Sequence, residues 1–171
     1  MSDVAEPVEE PTPEPLPELF GVPMTESRGQ TVLHPDREGY HALVSTLRDE
    51  GYLMCIDVTA VDYLGSDGRS LPGDLVAERF EVVSQFLDHQ QRRRVRIRIQ
   101  VPADDASVAS ITDLYPGAEA LEREAHDMFG ITFDDHPDLT RILMPEDWIG
   151  FPLRKDYDVG RIPVQFRGAA S

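Results

Sequence analysis

FEVVSQFLDHQQRRRVRIRIQV, residues 80–101, is the stretch on which the fold turns. Phe80, Val82, Ser84 and Phe86 alternate with Glu81, Val83, Gln85 and Leu87. Val95, Ile97, Ile99 and Val101 alternate with Arg96, Arg98 and Gln100. Side chains at i and i+2 share one face of a strand, so two alternating runs joined by DHQQRRR predict an antiparallel hairpin with one dry face. Arg96 and Arg98 then point away from the core, either into solvent or onto an acidic partner. Arg92 to Arg98 is the only basic cluster in the chain, and Arg is favoured at protein interfaces.

Upstream of the hairpin, Tyr40, Leu43, Val44 and Leu47 recur at i, i+3, i+4 and i+7, which predicts a helix from about Asp36 to Glu50 with Gly51 closing it. Leu53 to Val61 is β-branched and apolar around Asp57, a half-buried strand, and GSDGRSLPGD after it is a loop. Downstream, Ser107 to Leu114 reads as a short helix broken by Pro116 and Gly117. Ala118 to Phe129 reads as a longer helix with Leu121, Ala125, Met128 and Phe129 on one face and Gly130 as its cap.

The two ends of the sequence differ from this middle. Ser2 to Pro17, SDVAEPVEEPTPEPLP, combines prolines with unbalanced acids, which predicts an extended disordered tail, and residues 1–30 are assigned to it. Residues 31–133 form the folded domain, and residues 134–171 an arm. In that arm Pro137, Pro145, Pro152 and Pro163 interrupt any period, yet Trp148, Phe151, Tyr157 and Phe166 are too apolar for a solvated linker. An extended arm ordered by another protein reconciles the two.

With 171 residues the chain is long enough to bury a core, roughly 70% of its unfolded surface. A net charge of −16 disfavours nucleic acid as a partner. No run approaches the ~20 apolar residues of a membrane span, and the start carries neither a signal peptide nor a transit peptide pattern, so a bacterial cytoplasmic location is expected. The single cysteine, Cys55, excludes an internal disulfide and a cluster held by this chain alone. It lies in the apolar strand, where a buried inert thiol is expected. No nucleotide loop or nucleophile elbow is present; the glycines near Gly65, Gly68 and Gly73 lack the spacing. Glu122, Glu124, His126 and Asp127 crowd one helix with His136 nearby, and Glu122 and His126 at i, i+4 would suit a metal or acid–base hydrolase. A second zincin histidine is missing, so a solvated or ion-paired helix face is the plainer account.

The stretch around those acids carries a resemblance. Glu122-Arg123-Glu124, Asp127-Met128-Phe129-Gly130-Ile131, Phe133, His136-Pro137-Asp138-Leu139 and Arg141-Ile142-Leu143 resemble the signature of the thirty-kilodalton (C-type) subunit of respiratory complex I. The likeness continues through Pro145-Glu146-Asp147-Trp148, Gly150 and Pro152-Leu153-Arg154-Lys155-Asp156-Tyr157. Upstream it takes in Asp57 to Tyr63 and Arg79 to Val83. Ala120 stands where that family often has Trp, His126 where it often has an aromatic, and Phe151 where His is common.

The resemblance implies an α+β fold, a mixed or antiparallel sheet with helices on one side, followed by an extended C-terminal arm. It implies a non-catalytic structural subunit of a proton-pumping NADH-quinone oxidoreductase, on the cytoplasmic side of the bacterial membrane and without a span of its own. The forty-nine-kilodalton (D-type) subunit and the cluster-bearing (B- and I-type) subunits are the implied partners. NAD, FMN, iron–sulfur clusters and quinone would all sit in other subunits, with no cofactor in this chain. Glu122, Glu124, His136, Arg141, Trp148, Arg154, Lys155 and Asp156 are the candidate interface residues, with Arg154 expected to bridge chains. A related hydrogenase or a complex fed by ferredoxin or a deazaflavin is an alternative setting for the same scaffold, and a stand-alone metal-dependent hydrolase is the alternative from another class.

Overall fold

A computed structural model describes residues 15–66, 68–158 and 160. The expected acidic tail up to Glu14, and Phe166 and Arg167 of the arm, lie outside the described residues.

The hairpin forms as its alternation dictates. β5 (Phe80–Asp88) and β6 (Arg93–Val101) pair antiparallel with Phe80 opposite Val101 and Phe86 opposite Val95. All of the even-numbered β5 residues and the odd-numbered β6 residues from Val95 onward are buried. β4 (Met54–Asp62) lies on the other side of β5, with a bulge between Cys55 and Asp57. α1 (Tyr40–Asp49) buries Tyr40, Leu43, Val44 and Leu47, the four residues of its stripe. It starts later than the periodicity suggests, because the Asp36 carboxylate accepts the Gly39 N–H at 2.6 Å in a preceding turn. Gly51, just past its end, takes φ +98°, a conformation that strains any residue with a Cβ.

Two expectations are corrected. The sheet begins well before residue 31: β1 (Glu18–Leu19), β2 (Val22–Ser27) and β3 (Gln30–Leu33) complete the six-stranded order β1-β2-β3-β6-β5-β4. The turn from β2 to β3 is Arg28-Gly29, both at positive φ, the backbone that matches strand twist in a two-residue hairpin. β3 runs parallel to β6, which makes the sheet mixed. The second correction concerns Ser107 to Leu114, which is no helix: β7 (Ser107–Ala109) pairs parallel with β8 (Thr132–Asp134), and a turn follows it. Backbone pairing with a segment more than twenty residues away overrides a weak local helical pattern.

α2 (Glu119–Phe129) follows a 3₁₀ turn at Pro116–Ala118 and ends at Gly130 in the left-handed conformation, φ +71°. Ala125, Met128 and Phe129 join α1 and the inner faces of β4, β5 and β6 in one core cluster. The fold is α+β.

Candidate partner interface

The opposite face of the hairpin carries charge. Glu81, only 1% exposed, accepts a bidentate pair of bonds from Arg98 at 2.7 and 2.9 Å. It also accepts from Gln100 Nε2 at 2.6 Å and from Arg69 of the 64–79 loop. Arg98, 29% exposed, spends these donors inside the chain. It neutralises a buried carboxylate on the neighbouring strand. Burial of this pair is tolerated because the carboxylate is fully supplied with donors.

The arm is anchored on the end of α2. Asp127 is fully buried, and its Oδ2 accepts the backbone N–H groups of Ile142, Leu143 and Met144 at 3.1, 2.8 and 2.8 Å. Its Oδ1 accepts Arg141 Nη1 at 2.6 Å, while Arg141 Nη2 donates to the Gly150 carbonyl at 3.0 Å. Burial works to raise the Asp127 carboxyl, but these bonds outweigh it and hold it below the usual carboxylate range. A few residues on, Arg154 donates to the carbonyls of Phe129 and Gly130 and lies over the rings of Phe80 and Phe151. A cation against the last carbonyls of a helix meets the negative end of its dipole. Gly130 has two reasons to be glycine: its φ is left-handed, and a Cβ there would come within 2.6 Å of the Phe151 ring and the Arg154 guanidinium. Met128 O accepts the Leu153 N–H, which completes the return of the chain.

A second anchor holds the end of the arm to the sheet. Asp62, buried on β4, accepts Arg79 in a bidentate pair at 3.1 and 2.9 Å and the Lys155 N–H at 2.8 Å. Arg79 also bridges to Asp156 at 2.9 Å. Burial pushes the Asp62 carboxyl up, but Arg79 and the N–H groups of Lys155 and Leu64 more than reverse this and bring it to about 2.

The candidate residues thus divide. Glu122 and His136 turn inward and are corrected as surface residues. Glu122 accepts Ser110 Oγ at 2.7 Å and the Ile111 N–H at 2.9 Å, and burial raises its carboxyl above the ordinary value. His136 has no exposed side-chain surface; its Nδ1 faces the Asp138 N–H, so Nε2 carries the proton and donates to the Glu119 carbonyl at 3.2 Å. Arg141 and Arg154 spend their donors within the chain. Glu124, Lys155 and Asp156 are exposed. Trp148 is half-buried, with its indole N–H buried and unpaired. Elsewhere on the arm Ile142, Leu143 and Leu153 are exposed, and Ile149 is 89% exposed. Asp62, Arg79, Glu81 and Asp127, absent from the candidate set, do most of the holding. An acid inside an apolar strand, as Glu81 is, would have been the signal.

Nothing converges as a hydrolase would require. Glu122 is sealed in, Glu124 faces outward, and His126 Nδ1 donates to the Ile131 carbonyl at 2.9 Å. Among the described residues no three His, Cys, Asp or Glu side chains group to hold a metal. Burial pushes the Cys55 thiol up to about 12, so it is inert.

The anchors have a pH signature. Both Asp62 and Asp127 are depressed in the fold, so their contribution is complete above the unfolded value near 3.8 and is lost as pH falls through the folded ones. Trp148 is the only tryptophan and sits on the arm. Its fluorescence is expected to change between pH about 4 and about 2 before far-ultraviolet circular dichroism reports loss of the sheet. Coincidence of the two transitions would mean that arm and domain are not separable by acid. Glu122 runs the other way, since neutralising it relieves a buried charge.

Residues 33–162 match the family described as respiratory-chain NADH dehydrogenase, 30 Kd subunit. The chain belongs to that family. The C-type subunit of the NADH-quinone oxidoreductase of Salinispora arenicola is 44% identical over 83% of this chain and 56% of its own length. Its counterpart in Saccharopolyspora erythraea is 42% identical over 85% and 56%. The chain therefore spans little more than half the length of these relatives. A trypsin-resistant fragment (1–134) of Nqo5 superposes with a TM-score of 0.61 at 30% identity, covering 70% of this chain and 90% of the fragment. An archaeal membrane-bound sulfane sulfur reductase shares the fold, with a TM-score of 0.62 at 20% identity over 81% of this chain and 78% of that one. The His126 and Phe151 rings lie 6.4 Å apart, edge to face.

Proposed function

We propose that this chain is a non-catalytic structural subunit of the peripheral arm of an NADH-quinone oxidoreductase. It supports electron transfer from NADH to quinone by holding cluster-bearing and quinone-site subunits together. The family membership carries this reading. NAD, FMN, iron–sulfur clusters and quinone belong to partner subunits, and the chain sits peripherally on the cytoplasmic side of the membrane. No helix among the described residues is long and apolar enough to cross a bilayer.

The partner surface is the outer side of the arm rather than its anchors. Ile142, Leu143, Ile149 and Leu153 are exposed along the arm, which also carries the half-buried Trp148 and the exposed Lys155 and Asp156. Exposed apolar anchors with charged residues near them are what an interface uses. The forty-nine-kilodalton subunit is the proposed occupant, with the cluster-bearing B- and I-type subunits adjoining. A tagged copy recovered from membranes tests the assignment: these three proteins should co-purify, and recovery alone or with an unrelated assembly would refute it. Trp148→Ala or Ile149→Asp should reduce that recovery by the ~2 kcal/mol expected of an interface anchor, with the denaturation midpoint of the isolated chain unchanged for Ile149→Asp. A lowered midpoint for Ile149→Asp would make the residue part of the internal packing.

A further inference from the structure

The face of β6 turned away from the helices holds more positive charge than the fold uses. Arg94, Arg96, Arg98 and Gln100 share that face, opposite Leu87, Gln85, Val83 and Glu81 of β5. Arg98 is committed to Glu81, and Arg93 at the strand's start is committed to Asp88 at 2.7 Å. Arg92, Arg94 and Arg96 have no carboxylate partner among the described residues. Arg96 donates to the Gln30 side chain at 3.0 Å, and its Nε is buried without any acceptor. In a chain of net charge −16, two arginines left over on that face, with Arg92 in the turn that leads into it, are an unmet demand for anions.

We propose that the acidic segment 1–14 of this chain docks on these arginines. Asp3, Glu6, Glu9, Glu10 and Glu14 supply five carboxylates with no Lys or Arg among them. The segment also arrives on the right face. Leu16 rests on Gly73, where a Cβ would approach its Cγ to 2.9 Å. That loop carries Arg69 into Glu81, on the same side of the sheet. From there, fourteen extended residues reach about 45 Å, whereas Gln100 to Arg92 along the strand is roughly 26 Å. The prolines of the segment forbid a continuous ladder, so the contact is one of side chains, carboxylate to guanidinium, and is sensitive to salt. The segment thereby screens the one surface on which an acidic partner would otherwise settle.

The test uses the full chain with Val8→Cys carrying a nitroxide; Cys55, half-buried and protonated, stays unmodified. Nuclear magnetic resonance should show loss of amide intensity along Arg92 to Ile97. The intensity should return at about 1 M salt, where the Debye length is about 3 Å, and in a variant with the five acids of the segment changed to Gln. No loss, or a loss that survives the five-Gln change, overturns the proposal. So does a loss seen only when nitroxide-bearing chain is mixed with isotope-enriched chain that has no nitroxide, since the contact would then lie between copies.

Discussion

Asp127→Ala should cost about 3–5 kcal/mol, the range for removing one partner from a buried charged network. It takes away the sole acceptor of three backbone N–H groups and leaves the Arg141 guanidinium facing a small cavity. Without that acceptor the three donors must find water or go unpaired, and the arm is freed to release. Urea denaturation measures the loss, and hydrogen exchange locates it: the Ile142, Leu143 and Met144 amides should lose protection while the centres of β5 and β6 keep theirs. Asp127→Asn, which retains an acceptor oxygen but loses the charge, should fall between. A cost below about 1 kcal/mol, the scale of one ordinary hydrogen bond, would show that Arg154 and Leu153 hold the arm by themselves.

The second large effect is expected at Glu81. Glu81→Ala strands Arg98 and Arg69 beside each other without their carboxylate, again about 3–5 kcal/mol. Because a buried ion pair is often no better than apolar residues of the same volume, replacing all three with Glu81→Leu, Arg69→Met and Arg98→Met should recover much of the loss. Failure of the triple replacement to exceed Glu81→Ala in stability would mean that the network contributes more than mutual neutralisation.

Much of the fold was legible because its major elements keep a strict period. The hairpin and α1 bury the residues that alternation and the 3.6 repeat select; α2 buries Ala125, Met128 and Phe129 of its expected face but Leu121 only in part, and Gly130 caps where expected. What was missed lacks a local period. β7 and β8 are three residues each, and their parallel pairing depends on a neighbour distant in the chain. β1 to β3 sit beside an acidic, proline-rich stretch whose composition dominates the reading, although Arg28-Gly29 was a usable turn signal. The candidate interface was less legible still. Sequence marks the arm as unusual, but it does not tell an arginine that grips its own helix from one that reaches another chain. Arg141 and Arg154 are of the first kind. Trp148 keeps an unmet donor, and only the placement of its neighbours reveals that.

The two grips on the end of α2 also make one cooperative unit out of a stretch with no regular structure. Asp127 to Met144 closes a span of 17 residues, and Phe129 to Arg154 one of 25. Once the first is closed, the second needs only the step of about ten residues from Met144 to Arg154, which lowers its closure cost by roughly 0.8 kcal/mol. Either clasp therefore favours the other, and fraying of the last turn of α2 loosens both. The arm should open and shut as a single foldon. A chain whose second helix is incomplete should then present no ordered arm, whatever the state of its sheet.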